Sequence, residues 1–473
     1  MSDFKSNNVI GLEIHIELDT NTKIFCPCSR KSKEDEGPNT RVCEVCIGAP
    51  GSKPVLNKKV VEYALKLGLA LNCKISPELI FSRKSYFYPD MAKNYQISQY
   101  EIPLCEGGFL EISSGKKIGI IRVHLEEDPA AMIHPKGMEK SPFVLVDYNR
   151  SGNPLVEVVT RPDMASPDEA RDFMKKLIKI LGYLEIFDIE NGIIKADANI
   201  SIKESGYVRS EVKNITGFKE IERALRYEVE RQKKEVSEGK RLVQDTRAWD
   251  SDFGITRLMR TKETEADYGY IIDPDLVITE ITNDWIDEVR AEMPELGQDK
   301  VKKYINDYKI DKIDAEVIAA ERLLAELFEK VANEIDPILA AKWLRRELLR
   351  VLNYNKKSMK DLLLDERHMI DLLKLVESGK ITETSAQKII EKLVEKPFDV
   401  NKYVEKEKLG VVSDKKELEK HCMKAITENP EAVKEFKAGN QKSLNFLIGK
   451  IMQATKGQAD PKEVNSVMNK LLK

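Results

Sequence analysis

Two close pairs of cysteines form the most compact group of metal-binding residue types in this chain. Cys26 is two positions from Cys28, Cys43 is three positions from Cys46, and a loop with Gly, Pro and Asn joins the pairs. Two such pairs of thiolates can hold Zn²⁺ in a tetrahedral site, and the metal would replace the hydrophobic core that this loop lacks. Because sulfur would fill all four positions, we expect the zinc to be structural. Four ordinary reduced thiols are the alternative.

Polar side chains alternate with apolar ones in segments 11–18, 121–126 and 196–201, which is the pattern of β-strands with one buried face. The residues that share the polar faces are Glu13, His15 and Glu17 in the first segment, Arg122, His124 and Glu126 in the second, and Asp197, Asn199 and Ser201 in the third. Such a face is costly if it is dry, but its carboxylates and imidazoles suit Mg²⁺ that bridges to phosphate oxygens. Solvated outer faces are the alternative. The chain contains neither of the two familiar glycine-rich phosphate loops, so any bound nucleotide would be held in another way.

Cations and aromatic rings are mixed between residues 83 and 100. The residues of this stretch that could hold the end of an RNA strand are Arg83, Lys84, Tyr86, Tyr88, Tyr95 and Gln96. Single-stranded RNA is bound by rings that stack on its bases, beside cations that follow its backbone. A partly buried β-strand is the alternative, and the spacing alone favours it.

The bulk composition sets limits on the kind of protein. The chain has 473 residues, 41% hydrophobic and 33% charged, which is enough for two or three domains with real cores. Its net charge of −3 gives no global basic field, so any contact with nucleic acid must be local. We see no signal peptide and no stretch apolar enough to span a membrane, and the cysteine pairs suit a reducing compartment. We therefore expect a cytoplasmic protein with no membrane partner.

The elements that position these residues change in character near residue 295. Before it, strands predominate, and helices are predicted at 57–71, after the cap-like Ser166, and at 219–238. Because strands and helices do not alternate regularly, the sequence predicts an α+β fold rather than a doubly wound sheet. Beyond it, apolar residues recur at helical spacing as far as Val394, and a linker is predicted from Pro397 to about Gly410. The last 63 residues carry twelve lysines against eight acidic residues, which indicates a small basic helical tail.

Motifs along the whole chain resemble the GatB/GatE family, and within it the B subunits of glutamyl/aspartyl-tRNA amidotransferases. The motifs are the two cysteine pairs and the segments Val9–His15, Ser85–Asp90, Tyr95–Gln99, His124–Asp128, Asn149–Pro154, Asp197–Asn199, Glu211–Asn214, Asp245–Arg247, Asp273–Asp275 and Thr455–Pro461. The resemblance implies a cradle-like, mainly antiparallel β domain with helices at residues 1–293, similar in fold to glutamine synthetase. An all-α domain at 294–408 and a small, YqeY-like, tRNA-binding tail domain at 409–473 would follow.

The resemblance also implies cofactors and site residues. The cradle would bind ATP, Mg²⁺ and the aminoacylated 3′ end of tRNA. The implied catalytic residues are Glu13, His15, His124, Glu126, Glu127, Asp197, Lys213 and Arg247, of which Glu13, His15, Glu126 and Asp197 would hold magnesium. The implied substrate-binding residues are Arg83, Lys84, Tyr86, Tyr88, Tyr95, Gln96, Asn149 and Arg150. In the tail, Lys450 and Lys456 would contact tRNA.

The activity that the resemblance implies is amidation of an acidic residue already charged on tRNA, after ATP has phosphorylated its side-chain carboxylate. The sequence shows no recognisable glutaminase apparatus, so a partner must supply ammonia. In the family, an amidase subunit, GatA, and a small subunit, GatC, complete a heterotrimer. A zinc-stabilised, non-catalytic tRNA scaffold and a stand-alone ligase are the alternatives. A scaffold would have no need for Glu13, Glu126 and Asp197 to converge.

Three positions depart from the family's pattern. The segment Pro129–Ala131 stands where Ala-Gly-Lys is frequent, Gly269 where an arginine is expected, and Lys195 where an arginine is common. The first two changes each remove a cation that could serve the site.

Overall fold

A ten-stranded sheet organises the residues before Leu296. The computed structural model describes residues 6–137, 141–260, 269–411, 415–438, 440–455 and 457–472. The strands are β1 Asn8–Glu17, β2 Lys74–Ile75, β3 Glu78–Leu79, β4 Ser82–Ser85, β5 Tyr95–Ser98, β6 Cys105–Glu106, β7 Phe109–Glu111, β8 Lys117–Glu127, β9 Ala131–Ile133, β10 Leu145–Asp147, β11 Pro154–Thr160, β12 Ile194–Ile202, β13 Ser210–Thr216, β14 Asp245–Asp250, β15 Ile255–Arg260, β16 Gly269–Ile272 and β17 Thr279–Glu280.

The order of strands in this sheet is β15-β14-β13-β12-β1-β11-β8-β6-β2, and β7 also pairs with β8. Within the sheet the pairing of β13 with β14 is parallel and the other pairings are antiparallel. Strands β4, β5 and β16 form a second, three-stranded antiparallel sheet. A mainly antiparallel sheet with separate helices confirms the predicted α+β class.

The central strand β1 shows why one side of the sheet is core and the other is polar. Its even-numbered residues from Ile10 to Ile16 are almost completely buried. Its odd-numbered residues from Gly11 to Glu17 face the other side, because side chains alternate along a strand. Burial of each large aliphatic side chain contributes about 1.5–3 kcal/mol, so the register of β1 is strongly fixed.

Helices cover the apolar side of the sheet. They are α1 Lys58–Ala70, α2 Pro167–Leu184 and α3 Phe218–Ser237, with α4 Asn283–Ala291 later in the chain. Asn57 caps α1 by accepting a hydrogen bond from the backbone N–H of Lys59, and Ser166 caps α2 through the N–H of Glu169. Phe173 of α2 packs in the same core as the apolar face of β1. The two helices predicted with both ends are confirmed to within one residue, and the third begins directly after Ser166 as predicted.

The chain divides into two compact units, the second of which begins at Gly297. Its helices are α5 Gly297–Asn306, α6 Lys312–Ile318, α7 Arg322–Ala332, α8 Pro337–Lys342, α9 Leu349–Tyr354, α10 Glu366–Glu377, α11 Glu383–Glu395, α12 Val400–Lys406, α13 Lys415–Glu428, α14 Pro430–Lys437, α15 Gln441–Ala454 and α16 Pro461–Leu472, with a π-helical turn Trp343–Leu348 between α8 and α9. One hydrophobic core runs from Tyr304 to Val404, and another from Leu418 to Leu472. The proposed domain boundaries at residues 293 and 408 stay predictions.

The linker predicted from Pro397 to about Gly410 is wrong in part, because helix α12 lies within it. Asp399 caps this helix by accepting from the N–H of Lys402. Val400 and Val404, one helical turn apart, are buried in the core of the second unit. The many charges of this segment obscured the i, i+4 apolar pair.

Among the described residues, no helix combines the length and the apolar composition that crossing a bilayer requires.

Candidate functional site

The polar faces predicted on three strands lie on one side of the large sheet. Strand β1 lies between β12 and β11, and β11 lies between β1 and β8. The register places Glu13 opposite Asp197, and His15 opposite Glu157, which is in turn opposite His124. Directly paired residues of antiparallel strands project to the same face, so these side chains meet. The structure therefore brings the three polar faces together and adds a fourth strand, β11, between two of them.

Two histidines and two glutamates form a tight cluster on this face. His15 Nε2 lies 3.4 Å from Glu126 Oε1 and 3.4 Å from Glu157 Oε2. His124 Nε2 lies 3.2 Å from Glu157 Oε2, and its buried Nδ1 has no hydrogen-bond partner in the described part of the chain. Ligand atoms of His15, Glu126 and Glu157 lie within 4.8 Å of one another. One metal ion could contact all three.

The charges of this cluster fit a divalent cation. Burial alone would lower the pKa of His15, but the hydrogen bond and charge of Glu157, and then the charge of Glu126, raise this pKa to about 10. Burial likewise opposes ionisation of Glu157, yet His124 and His15 hold its pKa well below the usual range. The carboxylates thus attract positive charge, and their oxygen atoms are the ligands that Mg²⁺ prefers.

A second group of charges adjoins the first along β12 and β13. Lys213 Nζ lies 3.2 Å from Asp197 Oδ2 and 2.9 Å from Glu211 Oε1. Glu13 Oε1 accepts a hydrogen bond of 3.0 Å from Asn199 Nδ2. Burial and the nearby carboxylates, Glu157 foremost, raise the pKa of Glu13. Asp197 already has a cation beside it, whereas Glu13 has mostly anions as neighbours, so a metal ion would relieve the repulsion at Glu13 in particular.

Two open clefts lie over this face. The first has a volume of about 370 Å³, and its lining includes Glu13, His15, Lys84, Tyr86, Gln96, Glu126, Asp128, Arg150, Glu157, Lys195, Asp197 and Lys213. The second, of about 220 Å³, shares Glu13, Lys84, Glu126, Glu157 and Lys213 with it and adds Arg122, His124, Arg209 and Glu211. The rings of Tyr100 and Tyr270 stack at 4.0 Å and also line the second cleft. A polar, cation-bearing cleft of this size can hold a phosphorylated substrate together with a metal ion.

Two implied catalytic residues are not at this face. Glu127 follows Glu126 on β8 and therefore faces the other way, where Lys93 Nζ lies 2.6 Å from its Oε2 and Ile97 donates a backbone hydrogen bond to it. Arg247 is opposite the buried Val212 and donates to Asp245 and Thr256. The period of two along a strand explains both corrections, because only alternate residues reach the cleft.

The stretch of cations and aromatic rings is divided between the cleft and other surroundings. Lys84, Tyr86 and Gln96 line the first cleft. Arg83 instead pairs with Asp273 at 2.9 Å and, with Tyr95, lines a separate pocket. Tyr88 is half exposed and is not part of either cleft lining. The strand interpretation is confirmed for Ser82–Ser85, and it does not exclude an RNA contact by the side chains that line the cleft.

Asn149 and Arg150 are adjacent in the chain but make different contacts. Asn149 is buried and joins two loops, because it accepts from Arg41 N and donates to Gly37 O. Arg150 lines the first cleft, donates to the backbone of the Pro129–Ala131 segment, and lies 3.4 Å from Asp128. Burial raises the pKa of Asp128 to about 6, against the charges of Arg150 and Lys195. Lys195, one of the departures from the family pattern, thus contributes a cation to the cleft.

Sequence reasoning missed Glu157, which contacts both histidines. It is the single charged residue in the run Pro154–Thr160, which is otherwise apolar apart from its terminal threonine. A charged residue inside a fully buried strand is rare unless it is paired. That isolated charge in an apolar run was the feature of the sequence that could have identified Glu157 as a site residue.

The four predicted zinc ligands converge. The sulfur atoms of Cys26, Cys28, Cys43 and Cys46 lie within 4.8 Å of one another. Beside them Lys23 is completely buried, and its Nζ donates to the backbone oxygen of Arg41 at 3.0 Å. A buried lysine with no carboxylate partner among the described residues is costly unless another anion is near. Zinc bound by four thiolates carries two net negative charges, so the donor set and its surroundings fit a structural zinc ion.

In the tail, Lys450 lies on α15, exposed, with its Nζ 5.6 Å from the centre of the Phe446 ring. Lys456 lies outside the described residues.

Comparison with known proteins agrees along the whole chain. The family model described as the GatB/GatE catalytic domain matches residues 8–287, and the one described as the GatB domain matches residues 326–472. The B subunit of the aspartyl/glutamyl-tRNA(Asn/Gln) amidotransferase from Thermodesulfovibrio yellowstonii is 42% identical over 98% of this chain and 99% of its own length. The protein of the same name from Carboxydothermus hydrogenoformans is also 42% identical, over 97% of each chain. The chain therefore belongs to the GatB family of tRNA-dependent amidotransferase subunits.

Proposed function

We propose that this chain activates the side-chain carboxylate of Asp-tRNA(Asn), Glu-tRNA(Gln) or both with ATP, and then directs ammonia to the activated carbonyl. The substrates follow from the names of the relatives. The observation that carries the chemistry is the meeting of His15, Glu126 and Glu157 beside Lys213 in one open cleft. A tRNA-binding scaffold alone would have no use for this costly concentration of buried charge.

The reaction requires activation because ammonia cannot displace oxide from an anionic carboxylate. Attack of the carboxylate oxygen on the γ-phosphorus of ATP forms an acyl phosphate and releases ADP. Ammonia then attacks the carbonyl carbon, the C–O bond to phosphate breaks, and the amide forms after loss of a proton. The first step brings two anions together, and the second develops negative charge on the carbonyl oxygen and the leaving phosphate, so cations would stabilise both steps.

Residues of this cleft supply what the reaction needs. Glu13, Glu126 and Glu157 present oxygen ligands, and Mg²⁺ bound there would neutralise and orient the phosphate oxygens. Lys213, paired with Asp197 and Glu211, places a fixed cation beside them. Lys84 and Arg150 also line this cleft and offer positive charge to the aminoacylated end of the tRNA, and Tyr86 offers a ring.

The ammonia would come from an amidase partner, GatA, in a heterotrimer with the small subunit GatC. The relatives are named as one subunit of an amidotransferase, which supports the proposal that this chain acts as part of a multi-subunit complex. Aminoacyl-tRNA is used in translation, so we place the reaction in the cytoplasm.

The test is amide formation on Asp-tRNA and Glu-tRNA with ATP, Mg²⁺ and ammonium salt, by this chain with and without the amidase partner. We expect amidated aminoacyl-tRNA in an ATP-dependent reaction, and the preferred tRNA identifies the physiological substrate. Amidation that proceeds without ATP, or none in the complete complex, would refute the proposal.

A further inference from the structure

The chain segment that carries Arg150 is bound by the loop that joins the two cysteine pairs. The segment, residues 146–152, begins within β10 and ends before β11, and the loop comprises residues 29–42. Next to the loop, Ser151 Oγ donates a hydrogen bond of 2.8 Å to the backbone oxygen of Cys46, which belongs to the second cysteine pair. These contacts lie outside the cleft and take no part in the proposed chemistry.

Asn39 of the loop pairs with β10 as a neighbouring strand would. Its Nδ2 donates to the backbone oxygen of Val146 at 3.1 Å, and its Oδ1 accepts from the backbone N–H of Tyr148 at 2.7 Å. Strand β10 belongs to a two-stranded sheet with β9, so its other edge needs partners of this kind. Because an isolated two-stranded hairpin is only marginally stable, this contact fixes the position of β10.

Asn149 makes the reciprocal contact from the segment to the loop. It is buried, its Nδ2 donates to the backbone oxygen of Gly37 at 2.8 Å, and its Oδ1 accepts from the backbone N–H of Arg41 at 2.7 Å. Asp147 Oδ1 joins the two asparagines, since it accepts from the N–H of Asn39 at 2.9 Å and from that of Asn149 at 3.0 Å. A buried amide with both polar atoms bonded specifies one relative position of the two pieces of chain.

The segment reaches the first cleft at two points. Arg150 lines the cleft, and its guanidinium donates to two backbone oxygens just after β8, at 2.9 and 2.7 Å. The hydroxyl of Tyr148 donates to the backbone oxygen of Pro89 at 3.1 Å, in the stretch that includes Tyr86, another lining residue. A displacement of residues 146–152 would therefore change the position of Arg150 and the support of the aromatic stretch.

From these contacts we infer that Asn39 and Asn149 are positioning residues, which hold Arg150 where its guanidinium meets the aminoacylated end of the tRNA. Residues 29–42 line neither of the two clefts, so the loop acts on the substrate through this segment. The inference rests on the proposed function, which assigns the cleft to that substrate. It gives the loop between the cysteine pairs a part in substrate binding as well as in the fold.

The experiment is steady-state amidation of Asp-tRNA or Glu-tRNA by the complete complex, with Asn39→Gly as the main variant. Asn39 is exposed and has a φ of 59°, which glycine adopts readily, so the change removes two side-chain hydrogen bonds and keeps the backbone. We expect the KM for aminoacyl-tRNA to rise about fivefold or more, because each lost hydrogen bond loosens the segment. The kcat should stay within about twofold, because the metal-binding cluster is not touched.

The matched control is Asp35→Gly. Asp35 is an exposed residue of the same loop with a φ of 62°, and among the described residues it makes no hydrogen bond to residues 146–152. The two variants share the cost of added freedom in the unfolded chain, so they differ in the contact alone. We expect the control to keep the KM of the wild type to within about twofold.

A double variant distinguishes positioning from a general loss of stability. Arg150→Ala alone should raise the KM at least as much as Asn39→Gly does. Adding Asn39→Gly to Arg150→Ala should have no further effect, because Asn39 acts through Arg150. Melting curves verify that Asn39→Gly is folded, and Asn39→Asp, which keeps an acceptor for the N–H of Tyr148 and should raise the KM about twofold, replaces it if it is not.

The outcomes separate this inference from the proposed function. If the wild-type complex amidates tRNA while the folded Asn39 variant and Asp35→Gly have the same KM, the inference is wrong and the proposed function stands. The same holds if Arg150→Ala leaves the KM unchanged, or if the effects of the Asn39 and Arg150 variants multiply in the double variant. If the complete wild-type complex forms no amide, both fail.

Discussion

The cysteine cluster and the carboxylate–imidazole cluster both gather negative charge on loops and strands of the first unit, but they manage it in opposite ways. The four sulfur atoms could fill every position around a metal ion, and a cation beside them, Lys23, is buried and donates to the backbone oxygen of Arg41. The other cluster opens into a cleft, and cations such as Lys213 and Arg150 line that cleft. A closed donor set leaves no position for a substrate, whereas an open one does. We propose that this difference in where the positive charge lies separates a structural site from a reactive one.

The largest expected effect concerns Glu157, which contacts both histidines of the open cluster. Glu157→Gln keeps the shape but removes the charge, and we expect amidation to fall about 100-fold or more, because a bound metal supplies several kcal/mol of transition-state stabilisation. Steady-state amidation of Asp-tRNA or Glu-tRNA measures it. Glu111→Gln, at an exposed position on β7, is the control and should retain full activity. Equal activity of the two variants would exclude Glu157 from the reactive site.

Loss of a zinc ligand should act on stability rather than on chemistry. For Cys43→Ser we expect about one zinc ion fewer per chain and a melting temperature lower by about 5 °C or more, because metal binding contributes to folding. Elemental analysis and thermal melting measure the two quantities. A chelator should lower the melting temperature of the wild-type chain and leave the variant unchanged. A wild-type chain without zinc and with unchanged melting would contradict the structural assignment.

A smaller effect should appear when the buried countercharge is removed. Lys23→Met preserves much of the side-chain volume, and we expect zinc transfer to a chromogenic chelator to become about tenfold faster, as for other residues that support metal ligands. Lys31→Met is the control, since Lys31 is exposed in the same loop and lies 3.4 Å from Asp19. If both variants release zinc at the wild-type rate, Lys23 does not compensate the charge of this site.

The smallest effect is expected in the tail, outside both clusters. Lys450→Ala should weaken tRNA binding about twofold and reduce the slope of log Kd against log salt by about one, as expected for a single phosphate contact. Filter binding at several salt concentrations measures this. Lys402→Ala, an exposed lysine of α12, serves as the control. An unchanged salt slope for Lys450→Ala would exclude it from the tRNA surface.

The sequence predicted three of the strands that form the site, but it did not predict every residue that belongs to the site. Alternation located β1, β8 and β12 and the polar residues on them, because a half-buried strand leaves a period-two pattern. Strand β11 has no such pattern, since its whole length is buried, so Glu157 was missed. The pairing order of the strands is not written in the local pattern, and only the fold shows that β11 lies between β1 and β8.

Side-chain direction explains the remaining differences. Glu127 and Arg247 lie within the motifs but on the opposite face of their strands, where other partners hold them. Helix α12 was missed because the charges around it outnumber its two buried valines. A motif gives the position of a residue along the chain, whereas the pairing register of its strand determines the face of the sheet to which its side chain projects.

The central claim is that the open cluster activates a carboxylate with ATP, and trapping the activated species tests it most directly. Hydroxylamine replaces ammonia in a reaction of the complete complex with ATP, Mg²⁺ and Asp-tRNA or Glu-tRNA, and the aminoacyl hydroxamate is counted for the wild type and for Glu126→Gln. We expect ATP-dependent side-chain hydroxamate from the wild type and none above background from Glu126→Gln. The tRNA binding of the variant should stay within about twofold of the wild type, since the proposed role of Glu126 is to hold the metal ion rather than the tRNA. Equal hydroxamate from both proteins would contradict the account.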